Sequence, residues 1–172
     1  MKSNITPVFS LAVFESIRKT IGTFPPESGG MLCGNRKTGA ITYFHYDELA
    51  ERSPATYVPD RNTLNKLLTR LNAEGLDMIG FVHSHPREFT MPTGGDMFYC
   101  SKIFAANPAL PFFVIPIVDP IATDRQFSMR VYIATQMGEK IEIVRVPLHV
   151  VEMEIIDSEI DLPETAATEI VS

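Results

Sequence analysis

The apolar positions of the chain change period several times, and each change marks an element. Leu11, Phe14, Ile17 and Ile21 recur at helical spacing behind Ser10, a good helix cap, so the pattern predicts a helix from about Leu11 to Thr20. Pro25-Pro26 excludes helix and predicts an extended entry into the apolar, glycine-bearing stretch from Ser28 to Gly34, a buried strand. Asn35 to Gly39 has turn composition, and Ala40 to Tyr46 is rich in β-branched and aromatic residues, which predicts a hairpin. Asp60 caps a second helix to about Ala73, with Leu64, Leu67, Leu68 and Leu71 as its apolar face and Glu74-Gly75 as its stop. Met78 to His83 is almost continuously apolar, the mark of a strand buried on both faces. Thr93 caps a third helix from Gly94 to about Ala106, stopped by Asn107-Pro108. Strands are predicted over Phe112–Val118, Phe127–Ala134 and Lys140–Pro147, and weak alternation over residues 148–156 adds a further candidate.

At 172 residues the chain has the length of one domain, and 45% apolar residues suffice for a core. The expected division is a body over residues 1–150 and an acidic tail over 151–172. After residue 149 the chain has seven acidic residues and no Lys or Arg; removing them from the 21 acidic residues leaves 14 against 15 basic, so the net charge of −6 belongs to the tail. No basic stripe exists to track phosphates, so nucleic acid is not an expected partner. The N-terminus lacks the apolar run of a secretory signal, and no window approaches the ~18 apolar residues of a membrane span. A cytoplasmic protein without a membrane partner is the expectation. Two cysteines, Cys33 and Cys100, supply neither a disulfide framework nor a thiolate zinc site, so any metal must be held by His and carboxylate.

The candidate chemistry lies where the buried strand ends. His83-Ser84-His85-Pro86 puts two imidazoles two residues apart, on one face if the strand continues through them. Asp96 follows in the first turn of the third helix, after glycines that would allow close backbone approach. Two histidines and one aspartate leave an open position on a tetrahedral zinc, the catalytic pattern. Glu27, between two prolines and a glycine-rich strand, is the candidate general acid/base, and Thr93 offers a hydroxyl to polarise a carbonyl or stabilise an oxyanion. Each feature has a plainer explanation. His-x-His arises by chance, Thr93-x-x-Asp96 reads as a capping box, and Glu27 alone is an ordinary surface carboxylate. Glu88 is an alternative base, while Arg87, Phe89 and Met91 are candidates for a substrate groove. Cys100 shares a helix face with Asp96, as a buried apolar residue or a redox-sensitive thiol.

Glu27, His83-Ser84-His85-Pro86 and, after a gap of ten residues (86 to 95), Asp96 at the end of Thr93-Gly94-Gly95-Asp96 resemble the pattern of the JAMM (MPN+) metalloproteases. The similarity follows element order over about residues 8–147, and one position departs from it, Thr93 standing where the family usually has Ser. The resemblance implies an α/β (α+β) fold: a curved, mostly antiparallel mixed sheet flanked by helices, related to cytidine deaminases. It implies that His83, His85 and Asp96 bind one zinc ion and that Glu27 is the general acid/base. It further implies cleavage after the C-terminal glycine of a ubiquitin-like protein or its conjugates. Bacterial stand-alone members accompany E1-like and E2-like enzymes, some in defence against phage. Alternatives are an inactive scaffold that binds a partner, and a peptidase acting on sulfur-carrier proteins or on cell-wall or phage-tail peptides. A zinc deaminase would need a Cys-x-x-Cys that this sequence lacks.

Overall fold

The computed structural model describes residues 5–23, 27–53, 56–85, 89, 91–119 and 127–153. Pro25, Pro26, Pro86, Arg87, Glu88 and the acidic stretch beyond 153 lie outside them, with the expectations placed on them. Among the described residues three helices, α1 (Leu11–Lys19), α2 (Arg61–Ala73) and α3 (Gly94–Ala106), accompany an eight-stranded sheet. In spatial order its strands are β10 (His149–Val151), β1 (Val8–Ser10), β3 (Ala40–Tyr46), β2 (Gly29–Asn35), β6 (Asp77–Ser84), β7 (Phe113–Asp119), β8 (Ser128–Met137) and β9 (Lys140–Val146). A separate hairpin pairs β4 (Glu51–Ser53) with β5 (Thr56–Val58). Neighbours β2/β3, β2/β6, β7/β8 and β8/β9 are antiparallel, while β6/β7, β1/β3 and β1/β10 are parallel. This is the expected mixed, mostly antiparallel sheet.

The two edge strands are consecutive in the chain. β9 ends at Val146 and β10 begins at His149, so Pro147-Leu148 bridges opposite edges of the sheet. Two residues span only about 7–10 Å, so the sheet must curl until its edges approach. One core lies with α1, where Val13, Ile17 and Ile21 pack with Phe9, Leu32, Ile41, Val82, Val114 and Val131. The other lies with α2 and α3, where Leu64, Leu71, Cys100 and Phe104 pack with Met31, Phe81, Phe113, Ile115 and Tyr132.

Local rules place most elements. Ser10 caps α1, its Oγ accepting from the Val13 amide at 3.2 Å. Asp60 caps α2, accepting from the Asn62 amide, and Gly75 at φ +82° follows its end. Gly39 at φ +79° closes the β2–β3 turn. The apolar face of α1 differs from the sequence pattern. Leu11 is exposed, and Val13 takes its place against the sheet beside Ile17.

Candidate metal centre

A bulge sets which way the site faces. Along β6 and β2, Leu32 pairs with Gly80 and Cys33 with Met78, so Ile79 is an extra residue on β6. A bulge reverses the alternation on either side of it. Ile79 and Val82 therefore face the α1 core, whereas Phe81 faces α2 and α3. His83 follows Phe81 by two positions and shares its face. Gly80 permits the close approach of β7 here, since a Cβ on it would stand 2.4 Å from the Val114 carbonyl oxygen.

Topology brings the third group. β6 and β7 are parallel, so the chain must return between them, and α3 makes that crossover. The first turn of a crossover helix starts at the end where the preceding strand finishes. Asp96, in that first turn, thus meets the two histidines at the C-terminal end of β6. One ligand atom each from His83, His85 and Asp96 lie within 4.8 Å of one another. His83 Nε2 is 2.8 Å from His85 Nε2 and 2.9 Å from Asp96 Oδ1, and His85 Nε2 is 3.6 Å from Asp96 Oδ2. His85 lies one residue past the last strand residue, but its amide still donates to the Val118 carbonyl of β7 at 3.3 Å.

Hydrogen bonding fixes how these groups present themselves. The Nδ1 of His85 is 2.9 Å from the Phe89 carbonyl oxygen, which can only accept. That nitrogen therefore carries the proton, and in the neutral ring the lone pair is on Nε2, the atom turned toward His83 and Asp96. A carbonyl partner of this kind is what orients a metal-binding imidazole. Asp96 accepts at Oδ2 from the Thr93 amide at 2.6 Å and from the Thr93 hydroxyl at 2.9 Å. The plain capping explanation of this pair is thus true, and it is compatible with ligation, because it steadies the same carboxylate that faces the histidines. Burial works against the charge of Asp96, yet the hydrogen bond and charge of His83 and the bonds from Thr93 outweigh it, holding the carboxyl well below its usual range. Burial and the neighbouring His83 push the pKa of His85 down, so its ring is neutral at physiological pH. Two imidazoles, that of His85 presenting its Nε2 lone pair, and an ionised carboxylate are donors that zinc takes in an open site.

Glu27 lies across the strand pair. Gly29 is opposite His83, and the Ser84 amide donates to the Ser28 carbonyl at 2.9 Å, so the register continues one step beyond β2. Glu27 precedes this tie by one residue, close enough to the cluster for His83 and Asp96 to act on its carboxyl. Burial pushes the Glu27 carboxyl up, with His83 opposing and Asp96 adding to the rise.

These shifts give the metal-free protein a pH dependence. His85, held below its unfolded value near 6.5, stabilises the fold only while neutral, so stability falls as pH drops through that region. Asp96 adds its loss below about 3.8. Glu27, raised above 4.5, works in the opposite direction, its contribution being lost as pH rises. The melting temperature of metal-free protein should therefore fall from pH 7 to pH 5, and fall more steeply in Glu27→Gln. Scanning calorimetry checks both slopes, and a melting temperature that rises on acidification contradicts them.

Other expectations meet mixed outcomes. Gly94 and Gly95 are not needed for close approach: among the described residues a Cβ on Gly94 meets nothing within 4 Å, and one on Gly95 meets only Thr93 Oγ1 at 3.4 Å. Cys100 is wholly buried and burial pushes its thiol up to about 12, which marks a core residue and not a redox-sensitive thiol. Cys33 is likewise buried and pushed up to about 12. Phe89 and Met91 are exposed, at 62% and 69%, on the segment joining His85 to α3. Sequence reasoning overlooked Ser28, next to Glu27, and Ser84, between the two histidines in the chain, both fully buried and hydrogen bonded to each other. Their hydroxyls were in plain view, but strand register is needed to see them meet.

Comparison with known proteins supplies the family. A family model described as prokaryotic homologs of the JAB domain matches residues 12–132, which include Glu27, His83, His85, Thr93 and Asp96. No curated protein matches the chain. Among solved structures, the solution structure of protein DSY2949 from Desulfitobacterium hafniense is similar over 90% of this chain and 97% of its own, with a TM-score of 0.60 and 16% identity. At that identity the likeness concerns the fold.

Proposed function

The chain belongs to the prokaryotic homologs of the JAB domain, and on that premise we propose that it is a zinc-dependent peptidase cleaving the bond after the C-terminal glycine of a ubiquitin-like protein. The observation that carries this reading is the convergence of His83, His85 and Asp96 within 4.8 Å, beside a carboxylate that is not a member of the cluster. His83, His85 and Asp96 would hold the ion, which supplies a Lewis acid and lowers the pKa of a bound water to near ~7.

The chain's own groups do the rest. Glu27 takes a proton from the attacking water on its carboxylate and returns it to the nitrogen of the leaving amine, so that peptide and water become acid and amine. Its upward pKa shift suits that exchange, since a general acid/base works best near the operating pH. The Phe89 carbonyl keeps His85 in the tautomer that presents Nε2. Thr93, exposed at the helix start, turns its hydroxyl to Asp96 in the resting arrangement, and a χ1 rotation would bring it to a substrate carbonyl. Phe89 and Met91 offer an apolar border on which an extended glycine tail can lie. In this reading the partners are a ubiquitin-like protein, or its conjugates, and the E1-like and E2-like enzymes that build them, in the cytoplasm.

A fusion in which a ubiquitin-like protein is joined through its C-terminal glycine to a reporter tests the reading, alongside sulfur-carrier fusions and cell-wall peptides. Zinc-loaded protein should release the reporter after that glycine, stop on chelation, and resume when zinc is restored. Cleavage of none of these substrates by zinc-loaded protein contradicts the proposal and leaves a partner-binding scaffold.

A further inference from the structure

We propose that Ser84, through Ser28, is a positioning residue that sets Glu27 against the metal ligands. The inference rests on the reading that Glu27 works at a metal held by His83, His85 and Asp96. Ser84 is the residue between the two histidines, and Ser28 is the residue after Glu27. Both are 0% exposed. The pair exchanges four close contacts. The Ser84 amide donates to the Ser28 carbonyl at 2.9 Å. The Ser28 amide donates to Ser84 Oγ at 3.1 Å, Ser84 Oγ reaches the Ser28 carbonyl at 3.4 Å, and the two hydroxyl oxygens are 3.4 Å apart.

The second of these bonds departs from the ladder. In a regular antiparallel pair the Ser28 amide would return its bond to a main-chain carbonyl. Here it goes to a side chain. Beyond this point β6 stays attached to β7 through the His85 amide and the Val118 carbonyl. The strand bearing Glu27 has Ser84 as its last described tie to β6. The serine pair therefore marks a fork. On one side of it the ladder continues through Gly29 and His83; on the other lie Glu27, next to Ser28, and His85, next to Ser84. Alternation directs the serine side chains to the opposite face from the histidines, so the pair can set the spacing of the reacting groups without meeting substrate.

Removing Oγ strands a buried amide, which finds a partner only if the Glu27 strand shifts. Small displacements of a reacting group cost up to about 100-fold in rate. In the full-length zinc-loaded protein, Ser84→Ala should lower kcat by about 10- to 100-fold. KM and zinc affinity should stay within about threefold, because neither depends on the tie. Amide exchange at Ser28 should quicken by at least about tenfold, while the central amides of β2 and β6 keep their protection. Ser84→Thr, which retains a hydroxyl, should restore kcat and Ser28 protection; Ser84→Val, equal to it in bulk, should not.

Wild-type kcat and unchanged Ser28 exchange in Ser84→Ala would overturn the proposal. So would a parallel fall of kcat, zinc affinity and general amide protection that Thr does not rescue, the mark of a merely structural residue. If the larger side chains prevent folding, the comparison of Ser84→Ala with wild type decides. If wild-type protein cleaves nothing, the functional reading fails separately, and the tie is still judged by Ser28 exchange at preserved zinc affinity.

Discussion

Glu27→Gln should bind one zinc ion as wild type does and yet lose about 10²- to 10⁴-fold in kcat, the range that a positioned general acid/base contributes. Glutamine keeps the shape of the side chain and removes its ability to exchange a proton. The carboxylate lies outside the cluster that can hold a metal, so metal content should not change. It lies two residues before Gly29, the partner of His83 in the sheet ladder, and glutamine matches its shape, so the fold should not change either. KM should move by no more than about threefold, because the lost interaction belongs to the transition state. Single-turnover cleavage of the ubiquitin-like fusion separates these terms. A variant that cleaves at the wild-type rate would transfer the proton chemistry to another group.

Asp96→Ala should abolish both zinc binding and cleavage. The substitution removes one of three converging ligands and also the acceptor of two hydrogen bonds from Thr93. Loss of an outer-shell partner alone costs about 10–100-fold in metal affinity, and loss of a ligand should exceed that. The same change uncaps α3, which costs about 1 kcal/mol of stability. Thr93→Ala provides the comparison: it removes the hydroxyl bond to Asp96 while leaving all three ligands, so it should weaken zinc binding by no more than about 10–100-fold and lose less affinity and activity than Asp96→Ala. Equal zinc affinity in the wild type and Asp96→Ala would remove that aspartate from the centre. Isothermal titration of metal-free protein measures both.

Much of this was legible before any coordinates, and what was missed has physical reasons. Ser10, Asp60 and Thr93 were readable as helix starts because side-chain capping is local chemistry. The β2–β3 hairpin was readable from its turn and its β-branched second arm. Val8–Ser10 was not, because three residues running directly into a helix carry no period. The β4–β5 hairpin was hidden for the same reason, each arm being three residues long. Leu11 was misplaced because helical spacing alone cannot choose between two apolar stripes; packing against the sheet chose the one through Val13 and Ile17. At the site, the spacing of His83, His85 and Asp96 gave the identities of the candidate ligands. How they meet depends on the bulge at Ile79 and on the parallel placement of β6 and β7, both properties of strand pairing. The carbonyl that fixes the His85 tautomer and the Ser28–Ser84 tie are likewise products of register, which no single segment encodes.

The most direct measurement is anomalous diffraction, at the zinc absorption edge, from crystals of the wild-type protein grown with zinc. The predicted result is one peak per chain, at about 2.0–2.2 Å from His83 Nε2, His85 Nε2 and a carboxylate oxygen of Asp96, with Glu27 beside it and not bonded to it. A structure with ample zinc in which no peak lies among those three residues would contradict the metal centre and the peptidase built upon it.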